Sequence, residues 1–183
     1  MIMRRTRLAL VVVATAVEIG CSPPSVGVYT QESLPDRTSF PYVGQFLVHR
    51  CGMLDCHGSA SRNLRIYGNE GLRLSPSDLP LVPACTTEAE LDQDYESVVG
   101  LEPETMSAVV AAHGADPERL SLVRKPLGLD DHKGLTLIQP GDDGYVCLTS
   151  WLGGATDLAA CLRTIPATTC LTDAGSPSDG GEE

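Results

Sequence analysis

The stretch Cys51-Gly52-Met53-Leu54-Asp55-Cys56-His57, followed by Gly58, sets an imidazole directly behind the second of two thiols. That order of groups is what c-type haem attachment requires. Two thiols add across the two vinyl groups, and the adjoining His places a ring nitrogen under the iron as its proximal ligand. Four residues separate the cysteines here, where the usual motif has two. The candidate attachment residues are therefore Cys51 and Cys56, with His57 as a metal ligand.

The residues leading into this stretch are helical. Val43, Phe46, Leu47 and Cys51 fall on one face, so a first helix carries its apolar side straight into the motif. Downstream, Thr87 with Glu90 forms a capping box, and Leu91, Tyr95, Val98 and Val99 give a second helix that stops at Gly100. Pro103 opens a third helix, with Met106, Val109, Val110 and His113 on one face. Asp116-Pro117 opens a short fourth helix, Gly144 to Leu152 a fifth, and a last one after Thr156 carries Leu158, Cys161 and Leu162. Strand-like stretches are short: residues 64–67, 72–74 and 135–138. The first two read as a hairpin across Gly68-Asn69-Glu70-Gly71. The expected class is mainly α with a short β-hairpin insertion.

The start of the chain reads as an export signal. Arg4, Arg5 and Arg7 precede an apolar run from Leu8 to Val17 that ends at Gly20-Cys21. The run is short of the ~20 residues a membrane-spanning helix needs, so residues 1–20 are expected to be a signal peptide. Cys21 after Gly20 resembles a bacterial lipoprotein box, which makes Cys21 the candidate lipidation site; plain secretion is the other reading. Residues 21–41, rich in Pro, Ser and Gly, read as a flexible tether, and residues 172–183 as a disordered acidic tail. Residues 42–171 between them make one domain.

The net charge is −11, and loss of the signal peptide makes it more negative, because three Arg leave with one Glu. Such a chain is a poor match for nucleic acid and is not drawn to an anionic membrane by charge. Seven cysteines suit an oxidising compartment. With Cys21 set aside, six remain: Cys51, Cys56, Cys85, Cys147, Cys161 and Cys170. They divide as two haem thioethers plus two disulfides, or as three disulfides with a Cys51–Cys56 bridge beside a bystander His57. Zinc on Cys51, Cys56, His57 and a distant His is disfavoured by an oxidising compartment. Thiol–disulfide exchange of the thioredoxin kind wants a two-residue spacing and a βαβ context, both lacking. No nucleophile elbow or phosphate-binding Gly loop occurs. The carboxylates between Glu88 and Glu96 read as a solvated helix face.

Several of these segments together resemble bacterial cytochrome c domains. Phe46-Leu47-Val48-His49-Arg50 leads into the Cys-Cys-His-Gly run as their first segment does. Ser121-Leu122-Val123-Arg124-Lys125-Pro126-Leu127, then His132-Lys133-Gly134, then Tyr145 to Trp151-Leu152 follow in their order. Residues 43–58 and 119–153 carry the likeness; residues 59–118 have no clear counterpart. The resemblance implies a cytochrome c-like helical domain with one covalent haem c and its iron, acting in electron transfer with a redox protein partner. It implies that the loop holding His132 covers the distal face of the haem, making His132 the leading sixth ligand. Met106 and His113 are the runners-up, and a five-coordinate iron is the further alternative. The implied location is the periplasmic side of a cell envelope membrane, lipid-anchored or secreted. The alternative in another class is a haem-free, disulfide-stapled interaction module on the same fold.

Overall fold

The structure is a computed structural model, and it describes residues 32–78, 85–167 and 169–170. Those residues are mainly helical. Six α-helices run in the order α1 (Phe40–Cys51), α2 (Glu88–Val99), α3 (Pro103–Ala111), α4 (Ser121–Arg124), α5 (Asp143–Leu152) and α6 (Leu158–Arg163). Two short 3₁₀ turns, Pro76–Asp78 and Pro117–Arg119, lie between them. Cys21, the signal peptide and the acidic tail fall outside the described residues. No described helix is long and apolar enough to cross a membrane.

Helix α1 is the centre of the packing, because it meets α2, α5 and α6. Its buried face carries Phe40, Val43, Phe46, Leu47 and Val48. Gly44 sets the approach to α2, since a Cβ there would lie 2.7 Å from Leu91 Cδ2. Gly144 does the same for α5, where a Cβ would lie 2.8 Å from Ile138 and 3.0 Å from Phe46. Three of the aromatics meet at one place. Phe40 sits 5.3 Å from both Tyr95 and Trp151 between ring centroids, and all three are buried. Large rings placed together account for much of the apolar area that stabilises such a core.

Helix ends are set by local chemistry. Thr87 caps α2 through the expected reciprocal box with Glu90, Asp142 caps α5, and Asp157 caps α6. Residues 33–36, placed in the tether by sequence, are held on the helical body. Ser33 N–H donates to Ser107 Oγ, the Tyr95 hydroxyl to Pro35 O, and the Trp151 indole N–H to Asp36 O. Two disulfides, Cys85–Cys170 and Cys147–Cys161, fasten the chain, and Cys51 and Cys56 are free.

Three expectations are corrected here. The hairpin over 64–74 does not form; a single bridge joins Tyr67 and Leu72. The N–H groups that a ladder would need go elsewhere: Ile66 to His57 O, Tyr67 to Asp94 Oδ1, Leu74 to Glu90 Oε1. Residues 135–138 are no strand either, because Leu135 has φ 64° and the N–H groups of Leu137 and Ile138 both turn to Pro126 O. The acidic run on α2 is not wholly a solvated face. Glu90 and Asp94, one turn apart, are both 0% exposed, against Arg73 and the 67–74 segment.

Candidate functional site

Gly52 closes α1 with its N–H on Val48 O, and the chain then folds back tightly. His57 N–H returns to Cys51 O at 2.9 Å, and Cys56 N–H to Met53 O at 2.8 Å. This return needs glycine. A Cβ on Gly58 would lie 1.7 Å from Gly52 O, and one on Gly71 would lie 2.0 Å from the same oxygen. Arg62 braces the loop by donating from Nε to Cys56 O and from Nη2 to Asp55 O. Cys51, Cys56 and His57 consequently line one cavity of about 290 Å³.

The His57 ring is held by its Nδ1, 3.0 Å from Leu64 O. A carbonyl only accepts, so the proton sits on Nδ1 and the Nε2 lone pair is left for a ligand. Burial lowers the pKa of His57, against the pull of Leu64 O, with His132 and Arg62 adding to the lowering. Its ring therefore stays neutral at pH 7, the form that binds metal. Burial also pushes the Cys51 thiol up to about 12, with Cys56 acting the same way and Arg50 opposing. Cys51 is a protonated thiol at neutral pH, not a metal-binding thiolate.

His132 faces His57 from the segment between α4 and α5. The ring centroids are 6.1 Å apart and the planes 18° from parallel. Its Nδ1 is tied in the same way, 3.1 Å from Leu135 O. Leu135 presents that oxygen from a left-handed conformation, at φ 64°, which a branched side chain rarely adopts. Gly134 lets the loop pass the ring, since a Cβ there would lie 2.9 Å from His132 Cε1. Lys125 Nζ donating to Asp131 O and Arg50 Nη2 donating to Leu137 O fix the two sides of the loop.

Both imidazoles also border a larger cavity of about 490 Å³, within the range of cofactor sites. Its apolar wall comes from α1, α4, α5 and the adjoining loops, with Phe46, Leu64, Leu122 and Leu148 prominent. Among the described residues, Arg50, Arg62 and Lys125 are its charged lining residues, and no Asp or Glu lines it. On a chain of net charge −11, that selects an apolar ligand bearing negative charge.

Haem sets a definite spacing for a pair of ligating imidazoles. Two metal–nitrogen bonds of about 2.0 Å each, plus about 1.1 Å from nitrogen to ring centre on either side, span about 6.2 Å. The His57 and His132 ring centroids are separated by about that length, at 6.1 Å. Among the described residues no group of three or more His, Cys, Asp or Glu is placed to hold a bare metal ion. A macrocycle that brings its own four nitrogens would need only two imidazoles from the protein. Arg50, Arg62 and Lys125 would offer counter-charges to the acidic side chains of such a group, and Cys51 and Cys56 share a cavity with His57. The residues fit.

The other sequence candidates lie apart. Met106 is packed in the core at 1% exposure, and His113 is exposed just past α3 at φ 53°. Neither lines either cavity. His49 is half-buried, with Nδ1 3.8 Å from Glu70. The carbonyls of Leu64 and Leu135 and the three cations were not legible in the sequence. No family profile, curated protein or solved structure matches the chain.

Proposed function

We propose that this chain is an exported electron carrier with a cytochrome c-like domain, holding one haem c through thioethers at Cys51 and Cys56. His57 and His132 would hold its iron. The observation that carries the reading is the matched pair of imidazoles: each is fixed at Nδ1 by a backbone carbonyl, and they lie one metal span apart at a cation-rimmed apolar cavity. The cysteine inventory supports it, because four thiols pair off and the two in the motif stay free.

When bound, the haem supplies a one-electron iron couple. The chain's own residues set the conditions for that couple. Leu64 O and Leu135 O orient the imidazoles and raise their basicity, as outer partners of ligating His do. Phe46, Leu64, Leu122 and Leu148 keep water from the group, and Arg50, Arg62 and Lys125 neutralise its carboxylates. The redox partner would be a protein. A lipid on Cys21 anchors the carrier at the periplasmic side of the envelope. The same chain without haem would be the disulfide-stapled interaction module, but its Cys51–Cys56 bridge is not what the free thiols favour.

The test is the absorption spectrum of protein expressed with a c-type maturation system. A Soret band with low-spin features is expected, turning high-spin in His132→Ala while the haem stays attached. A colourless protein refutes the proposal. A low-spin spectrum that survives His132→Ala refutes the axial assignment.

A further inference from the structure

Outside both cavity linings lies a buried polar cluster of Arg73, Thr86, Glu90 and Asp94. Glu90 has a structural role, since it pairs with Arg73 and completes the cap of α2. Asp94 has none so plain. Its Oδ2 is buried without a hydrogen-bond partner, an arrangement that buried polar groups seldom tolerate. Its Oδ1 accepts the Tyr67 N–H at 2.7 Å. The neighbouring Ile66 N–H donates to His57 O at 2.9 Å, and Leu64 O holds His57 Nδ1 at 3.0 Å. The 64–67 segment thus grips His57 at its backbone and at its ring, and Asp94 grips the segment.

We propose that Asp94 is a proton-linked positioning residue for His57, clamping the 64–67 segment so that its protonation state alters the hold on the imidazole. The inference rests on the reading that His57 ligates haem iron. Burial pushes the Asp94 carboxyl up to about 8, opposed by the Tyr67 N–H and reinforced by Glu90, so the proton exchanges near neutral pH. The charges facing the cluster are Glu90 on the same helix and Arg73 from the loop. From α1, which packs on α2, the titratable group toward residues 67–72 is His49, beside Glu70. Asp92 and Glu96 point outward to Arg37.

The matured, isotope-labelled protein in its reduced state decides the matter, with the Tyr67 and Ile66 amide signals and the midpoint potential followed from about pH 6 to about pH 9.5. Both amides should titrate together near pH 8, and the potential should fall over the same range, because carboxylate charge favours oxidised iron. Asp94→Asn keeps an acceptor for Tyr67 but should abolish both titrations and hold the potential near its low-pH value. Asp92→Asn should change neither. A flat Tyr67 amide or a flat potential in the unaltered protein overturns the inference, as does a titration that persists in Asp94→Asn. A chain with no Soret band overturns the haem reading instead. The Tyr67 titration then decides the clamp alone, upheld if present near pH 8 and refuted if absent.

Discussion

Replacing Glu90 by Gln should destabilise the domain by about 3–4 kcal/mol, the cost of removing one partner from a buried ion pair. The magnitude follows from how completely the carboxylate is used. Its oxygens accept Arg73 Nε at 2.7 Å and Nη2 at 3.0 Å, Leu74 N–H at 3.1 Å, Thr87 N–H at 2.9 Å and the Thr87 hydroxyl at 3.2 Å. Gln keeps the shape and some acceptor capacity, but leaves the Arg73 guanidinium, 5% exposed, without a counter-charge. Urea unfolding at pH 7 with the disulfides intact is the assay. At an m-value of about 2 kcal/mol/M the midpoint should fall by about 1.5–2 M with m unchanged. Burial raises the Glu90 carboxyl, but its bonds to Arg73, Thr87 and Leu74 outweigh that and leave its pKa below the usual value. Its contribution is thus present above about pH 4.5 and lost as pH falls through the lowered folded value. A Glu90→Gln penalty under about 1 kcal/mol would refute the buried pair.

Asp94 has the opposite sign. Its folded pKa of about 8 lies above the ordinary carboxylate value, so the native state holds a proton that the unfolded chain has lost, and stability falls as pH rises from about 4 to about 8. Asp94→Asn should remove that slope and be the more stable protein at pH 8, read as urea midpoints at pH 5.5 and 8.5; an equal slope in both refutes it. The Cys85–Cys170 and Cys147–Cys161 bridges close separations of 85 and 14 residues, for which chain entropy gives about 4.6 and about 3.0 kcal/mol. Alkylation without reductant should modify none of these four, and a labelled pair contradicts the assignment. Gly134→Ala should displace the His132 ring and weaken the low-spin spectrum, because the new methyl meets Cε1 at 2.9 Å; an unchanged spectrum counts against the loop geometry. Cys21→Ser should abolish incorporation of a labelled fatty acid, and equal labelling would exclude lipidation at that residue.

Helices were the legible part of the sequence, because caps and apolar spacing are local signals. Thr87 with Glu90 and Gly100 fixed both ends of α2, and Pro103 the start of α3. The pairing of Cys85 with Cys170 was not legible, since no spacing rule joins residues that only the tertiary fold brings together. The hairpin failed for a reason that local propensity does not contain: its N–H donors are taken by His57 O and two buried carboxylates. Those carboxylates were misread for the same reason, because Arg73, which makes burial of Glu90 possible, comes from a different segment. At the site, the motif and His132 were readable as residue types. The carbonyls that orient the rings belong to two leucines, and a backbone oxygen carries no signal in sequence.

Whether haem is bound covalently is decided by the intact mass of the purified protein, expressed with a c-type maturation system, under denaturing, reducing conditions, set beside the Cys51→Ser, Cys56→Ser double variant. Denaturation removes any group held by packing or ligation alone, so only thioether-bound haem remains. The account predicts a mass higher by one haem in the unaltered chain and the bare polypeptide mass in the variant. A bare polypeptide mass in both would contradict it.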